Sequence, residues 1–87
     1  LSTGEEFAIC TDPADQGLPA ISGDIVVWMD KRSGNLDIYG YDLSTGTEFA
    51  ICTDPANQWW PAISGDIVVW IDGRNGNADI YGARLEW

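Results

Sequence analysis

Residues 1–42 are followed by a near copy of themselves, residues 43–84, and the two copies differ at 10 of 42 positions. A period of roughly 40 residues is the size of one supersecondary unit in a repeat architecture. Such a unit cannot bury its apolar faces alone and needs neighbours. Two units make no closed object. The repetition therefore predicts a chain that assembles with copies of itself, or one that forms part of something longer.

A chain of 87 residues with 45% hydrophobic side chains is one small domain with enough apolar surface for a core. At this size it is marginal unless stapled or oligomeric. No stretch approaches the roughly 18 apolar residues of a membrane span. No segment reads as a signal peptide, and the start at Leu1 without Met leads one to expect processing, proteolysis or trimming. The net charge of -10 repels phosphate backbones, so nucleic acid is excluded as an expected partner. Cys10 and Cys52 hold the same position in each copy. One repeat apart, they lie beyond the roughly 7 Å Cα limit of a disulfide, which predicts buried free thiols.

The second copy divides into short extended segments. Pro61 to Ser64 is extended, and Gly65-Asp66 is a tight turn. Ile67 to Ile71 reads IVVWI, a strand rich in β-branched residues. Asp72 to Asn77 is a hairpin loop, and Ala78 to Gly82 opens another strand. In the first copy that strand runs on to a Ser44-Thr45-Gly46 turn, after which Glu48 to Thr53 forms an outer strand. No helical period is present. Each copy is thus predicted to be four short antiparallel strands: inner, second, third and outer. The second strand is apolar on both faces, so its sheet should be sandwiched between two others. Four-stranded sheets of this length, covered by neighbours, describe β-propeller blades. A two-sheet sandwich is the alternative. The longer loops, Thr53 to Pro61 and Asp72 to Asn77, share one end of the sheet, where binding is expected.

The repeat frame carries a further expectation. Residues 1–11 supply a spare outer strand (Glu6 to Thr11), residues 12–53 a full blade, and residues 54–87 a blade lacking its outer strand. The spare strand should pair with the exposed third strand of a neighbouring copy. The residues expected to close the assembly are Glu6, Phe7, Ala8, Ile9 and Cys10 against Ile80, Tyr81 and Leu85. The contact is head to tail, giving a ring if the rotation closes and a filament otherwise. Homo-trimers and homo-tetramers, with about six or eight blades, are the expected rings. Their multiplied charge favours moderate or high salt.

The motifs Pro61-Ala-Ile-Ser-Gly-Asp-Ile-Val-Val-Trp70 and Asp72-x-Arg74-x-Gly76-Asn77-x-Asp79-Ile80-Tyr81 resemble the TolB-type β-propeller repeat. The first copy matches that pattern at Pro19, Ser22, Arg32, Gly34, Asp37, Ile38, Tyr39, Asp42, Gly46 and Thr53. The Ile-Ser-Gly-Asp-Ile-Val-Val-Trp variant is similar to repeats of archaeal and bacterial surface proteins. The resemblance covers nearly the whole chain and implies the propeller fold and an extracellular or cell-surface location. The tail Ala83 to Trp87 departs from it.

Arg32 with Asp37, and Arg74 with Asp79, are expected to pin their hairpins as charge-assisted pairs. The run from Asp72 to Asp79 lacks the spacing of a calcium loop, so neither metal nor cofactor is expected. Trp28 and Trp70 read as core between sheets. Trp59-Trp60 replaces Gly17-Leu18 in a predicted loop. The pair suits stacking on a sugar, anchoring a protein partner, or filling space near a ring axis. Gln58, Trp59, Trp60, Arg74 and Asn75 are the candidate ligand residues. The chain has no histidine, and its carboxylates recur at turn positions (Asp12, Asp24, Asp54, Asp66), where they cap turns. The expected function is a non-catalytic, self-assembling structural, adhesive or binding module. A carbohydrate-binding propeller and an extracellular filament subunit are the alternatives, with a glycan or surface protein as partner. A fragment of a propeller enzyme is a third.

Overall fold

A computed structural model gives the fold and describes residues 7–11 and 13–86. It is all-β, with no helix among the described residues. The first sheet holds β1 (Gln16–Ser22), β2 (Ile25–Asp30), β3 (Asp37–Asp42) and β4 (Thr47–Cys52). The second holds β5 (Gln58–Ser64), β6 (Ile67–Asp72) and β7 (Asp79–Arg84). Each sheet is an antiparallel meander in chain order.

The turns explain the meander. Ser22 pairs with Ile25 and Ser64 with Ile67, leaving Gly23-Asp24 and Gly65-Asp66 as two-residue loops. Each glycine has a positive φ (56° and 58°), while the aspartates do not. That is the pattern of a hairpin turn with glycine in its first central position, which matches the twist of the flanking strands.

β2 and β6 carry the packing. Ile25 to Trp28 are all buried, so both faces of β2 are covered. Side chains alternate along a strand, and directly paired residues share a face. The front face of the first sheet therefore carries Ile25, Val27 and Ile38, and its back face carries Val26, Trp28 and Tyr39. The core joins Ile25, Val27 and Ile38 of that front face to Val68 and Trp70 of the second sheet's back face. Front packs on back, so the stacking has a direction.

The inner strands start earlier than the sequence suggests. Gln58, Trp59 and Trp60 belong to β5, although the proline read as the end of a loop. A bulge makes this workable. Trp60 and Pro61 occupy the register shift between Trp59 and Ala62, and Leu18 and Pro19 do so in β1. Leu18 and Trp60 have φ of 47° and 60°, an unusual state for residues with a Cβ. Its recurrence in both copies makes it a property of the repeat.

Gly40 pairs with Phe49 across β3 and β4, and the ring lies over the glycine. A Cβ added at Gly40 would sit 2.7 Å from Phe49 Cζ and 3.1 Å from Ile51 Cδ1. Gly40→Val is expected to displace the ring and destabilise the fold by about 1–3 kcal/mol, the cost of overpacking. Chemical denaturation followed by Trp fluorescence measures it.

Candidate functional site

At the loop end of each sheet, a tryptophan, an aspartate, an arginine and a tyrosine form one corner. Trp28 Nε1 donates to Asp30 Oδ2 at 3.0 Å. The Arg32 backbone N–H and Nε donate to Asp30 Oδ1, each at 2.9 Å, and Nη2 donates to Oδ2 at 2.8 Å. The Arg32 guanidinium also stacks on Tyr39, 4.0 Å from the ring centre. The second sheet repeats this with Trp70, Asp72, Arg74 and Tyr81, the guanidinium 4.1 Å above the ring. The expected Arg32–Asp37 and Arg74–Asp79 pairs are therefore replaced by Arg32–Asp30 and Arg74–Asp72. The reason is local. An aspartate two residues before the arginine can accept its backbone N–H and its fork together. Asp37 accepts from Ser33 and Asn35, and Asp79 from Asn75 and Asn77.

Both corner carboxylates are fully buried. Hydrogen bonds from Arg74 hold the Asp72 carboxyl down, to about 2, against burial that works the other way. Burial alone would raise Asp30, but hydrogen bonds from Arg32 and Trp28 override it and keep it below its ordinary value. Hydrogen bonds from Asp30 and Glu48 raise Arg32. These groups stay charged through neutral pH and act as fixed pins.

The candidate ligand residues do not converge. Gln58 is fully buried; its N–H donates to Leu36 O at 2.7 Å, and Nε2 to Ala56 O at 2.6 Å. Trp59 faces the front with its partner Ile71 and covers Gly73. Arg74 lies at the back face over Tyr81, whose hydroxyl accepts from Asn75 Nδ2 at 3.1 Å. Trp60 is exposed at the bulge. Trp28 and Trp70 are buried as expected. Both cysteines are free and half-buried. Among the turn carboxylates, Asp54 Oδ1 accepts from Ala56 N at 3.0 Å; Asp12 lies outside the described residues.

The two copies differ most at the front face. Ile38 is 0% exposed, while its equivalent Ile80 is 72% exposed. Val27 is 0% exposed and Val69 39%. Asn35 Nδ2 donates to Asp54 O and Ala56 O in the approach to the second sheet, whereas Asn77 Nδ2 donates to Asp79 Oδ1 within its own hairpin. A shallow groove, lined by Ala62, Ser64, Ile67 and Val69, opens on this front face.

Residues 7–11 lie at the opposite end of the stack. Ile9 and Cys10 line an apolar groove with Gly17, Pro19, Val26 and Trp28 on the back of the first sheet. Arg32 Nη2 donates to Cys10 Sγ at 3.3 Å, and Arg74 Nη2 donates to Cys52 Sγ at the same distance. Residues 7–10 thus stand to the first sheet as the end of β4 stands to the second. Residues 7–11 carry no strand in the single chain, whereas the expected pairing is with the third strand of a neighbouring copy; Glu6 lies outside the described residues. Phe7 and Ala8 are exposed, Ile9 is half-buried, and Tyr81 and Leu85 pack at the margin of the core. Asp30 and Asp72 were not among the expected partners of the arginines; the Trp-x-Asp-x-Arg spacing is the sequence signal that marks them.

No family model matches the chain, and no curated protein matches it.

The corner predicts an acid response. Asp72 titrates near 2 in the fold against 3.8 ordinarily, so the unfolded chain takes up the proton first. Its stabilisation is complete above about pH 4 and is lost as pH falls towards about 2. Denaturation monitored by Trp fluorescence should show that decline, and Asp72→Asn should be less stable at neutral pH with a flatter profile.

Proposed function

We propose that the chain is a non-catalytic β-propeller subunit that stacks head to tail with copies of itself, a structural or adhesive module of a secreted or cell-surface protein. The carrying observation is the contrast between Ile38 and Ile80, 0% and 72% exposed at equivalent positions. The surface that the second sheet covers on the first is left bare on the second. The back of the first sheet, with Val26, Trp28 and Pro19, has the same residue types as the back that already covers Ile38. A second copy presents it in the same orientation. Burying an exposed isoleucine contributes roughly 1.5–3 kcal/mol. The TolB-type motifs support reading each sheet as a blade, the second short of its outer strand. Resemblance to surface-protein repeats and a charge of -10 support the extracellular setting.

Light scattering across a range of salt is expected to give a discrete trimer or tetramer, or a growing filament. Ile80→Asp, altering a side chain already in solvent, should leave the sheet content by circular dichroism unchanged and abolish assembly. A monomer at every salt and protein concentration would overturn the proposal.

The carbohydrate-binding alternative rests on Trp60, which is 64% exposed. It requires quenching of Trp fluorescence in a sugar titration, and Trp60→Ala should remove that quenching.

A further inference from the structure

The assembly contact has a definite register, and the repeat itself supplies it. We propose that the free edge of β7 is completed by residues 5–10 of a second copy, pairing Ile80 with Cys10, Tyr81 with Ala8, Gly82 with Phe7, Ala83 with Glu6 and Arg84 with Glu5. This rests on the self-assembly proposed above and names the partner segment. The pairing is the β3–β4 ladder moved by one repeat: Ile38 with Cys52, Tyr39 with Ala50, Gly40 with Phe49, Tyr41 with Glu48 and Asp42 with Thr47.

Gly82 is a seat without its ring. Phe49 covers Gly40, but around Gly82 an added Cβ would meet only Val68 O at 3.3 Å and Val69 Cγ1 at 3.4 Å. Phe7, the repeat equivalent of Phe49, is a ring without its glycine and is 65% exposed. A ring laid over a strand glycine is a recurrent way to fix register. Within one chain the two are kept apart: the segment at Ile9 and Cys10 lines the back of the first sheet, while Gly82 faces forward from the second with Val69. A second copy stacked front to back brings its own Phe7 to this edge.

The differences between the copies fit the same register. Asp42 faces Thr47 within the first sheet. At the equivalent places the sequence has Arg84 and Glu5. Retaining aspartate at 84 would set two like charges opposite each other; arginine makes them complementary. The second carboxylate at the corner follows suit. Arg32 donates to both oxygens of Glu48 on β4, at 2.7 and 3.1 Å. Arg74 instead has Asp54 at 3.7 Å. Glu6 is the repeat equivalent of Glu48 and pairs beside Ala83 in this register. Glu5 and Glu6 lie outside the described residues and enter by sequence.

Ile80→Cys tests the register, because it places a thiol opposite Cys10 of the neighbouring copy, within disulfide reach of a directly paired residue. Isotopically light and heavy chains are mixed under dissociating conditions, reassembled and oxidised, and the cross-linked peptides are mapped. A mixed light–heavy disulfide between Cys10 and the introduced thiol is expected. Charge reversal provides the second test. Glu5→Arg or Arg84→Glu alone should weaken the subunit contact about tenfold by light scattering, and the double reversal should restore it. Gly82→Val should prevent assembly without loss of sheet content. An oligomer that forms no such disulfide and is indifferent to charge reversal overturns the register while self-assembly stands. A wild-type chain that stays monomeric overturns both.

Discussion

A β-sheet whose second strand is apolar on both faces has to be covered twice. Ile25 and Val27 project one way from β2, Val26 and Trp28 the other, and all four are buried. One cover is the second sheet. The other side is met in part by residues around Ile9 and Cys10. The second sheet has the same two-sided strand, Ile67 to Ile71, yet among the described residues it is covered on its back alone. The stacking of the two sheets answers this need, and the exposure of Ile80 marks where it is left unmet.

The corner at the loop end fixes how the covers meet. Its carboxylate ties the indole at the end of the second strand to the arginine of the following loop. That arginine then touches a cysteine from the preceding unit. Each corner thus reads its own sheet and its neighbour at once. Because the groups stay charged through neutral pH, the geometry is set by directional hydrogen bonds as well as by apolar contact.

Much of the fold was legible in the sequence. The Gly-Asp turns, the IVVW strands and the absence of helical period led directly to antiparallel sheets and buried Trp28 and Trp70. Two details were hidden for physical reasons. Asp30 and Asp37 both lie close enough in sequence to Arg32 to pair with it, and only the bend after β2 selects Asp30. Trp59, Trp60 and Pro61 read as loop because proline cannot join a regular ladder, whereas a bulge admits it. The candidate ligand residues suffered most from that: once placed in β5, Gln58 turned inwards and Trp59 turned away from Arg74. The outer strand expected over residues 6–11 needs the edge of a neighbouring copy, since a strand exists only beside a partner.

The bulges at Leu18-Pro19 and Trp60-Pro61 have a consequence for how two nearly identical sequences fold side by side. β1 and β5 are neighbours in space. Adjacent copies this similar are prone to cross-pairing, a characteristic failure of repeat proteins. Joined edge to edge, the inner strands would merge into one wide sheet and strand the apolar faces in water. Each proline deletes a donor from that edge, and each positive φ turns the backbone out of line. The wrong pairing is penalised in both copies at the same two repeat positions, so the chain reaches stacked sheets by making the flat alternative unfavourable.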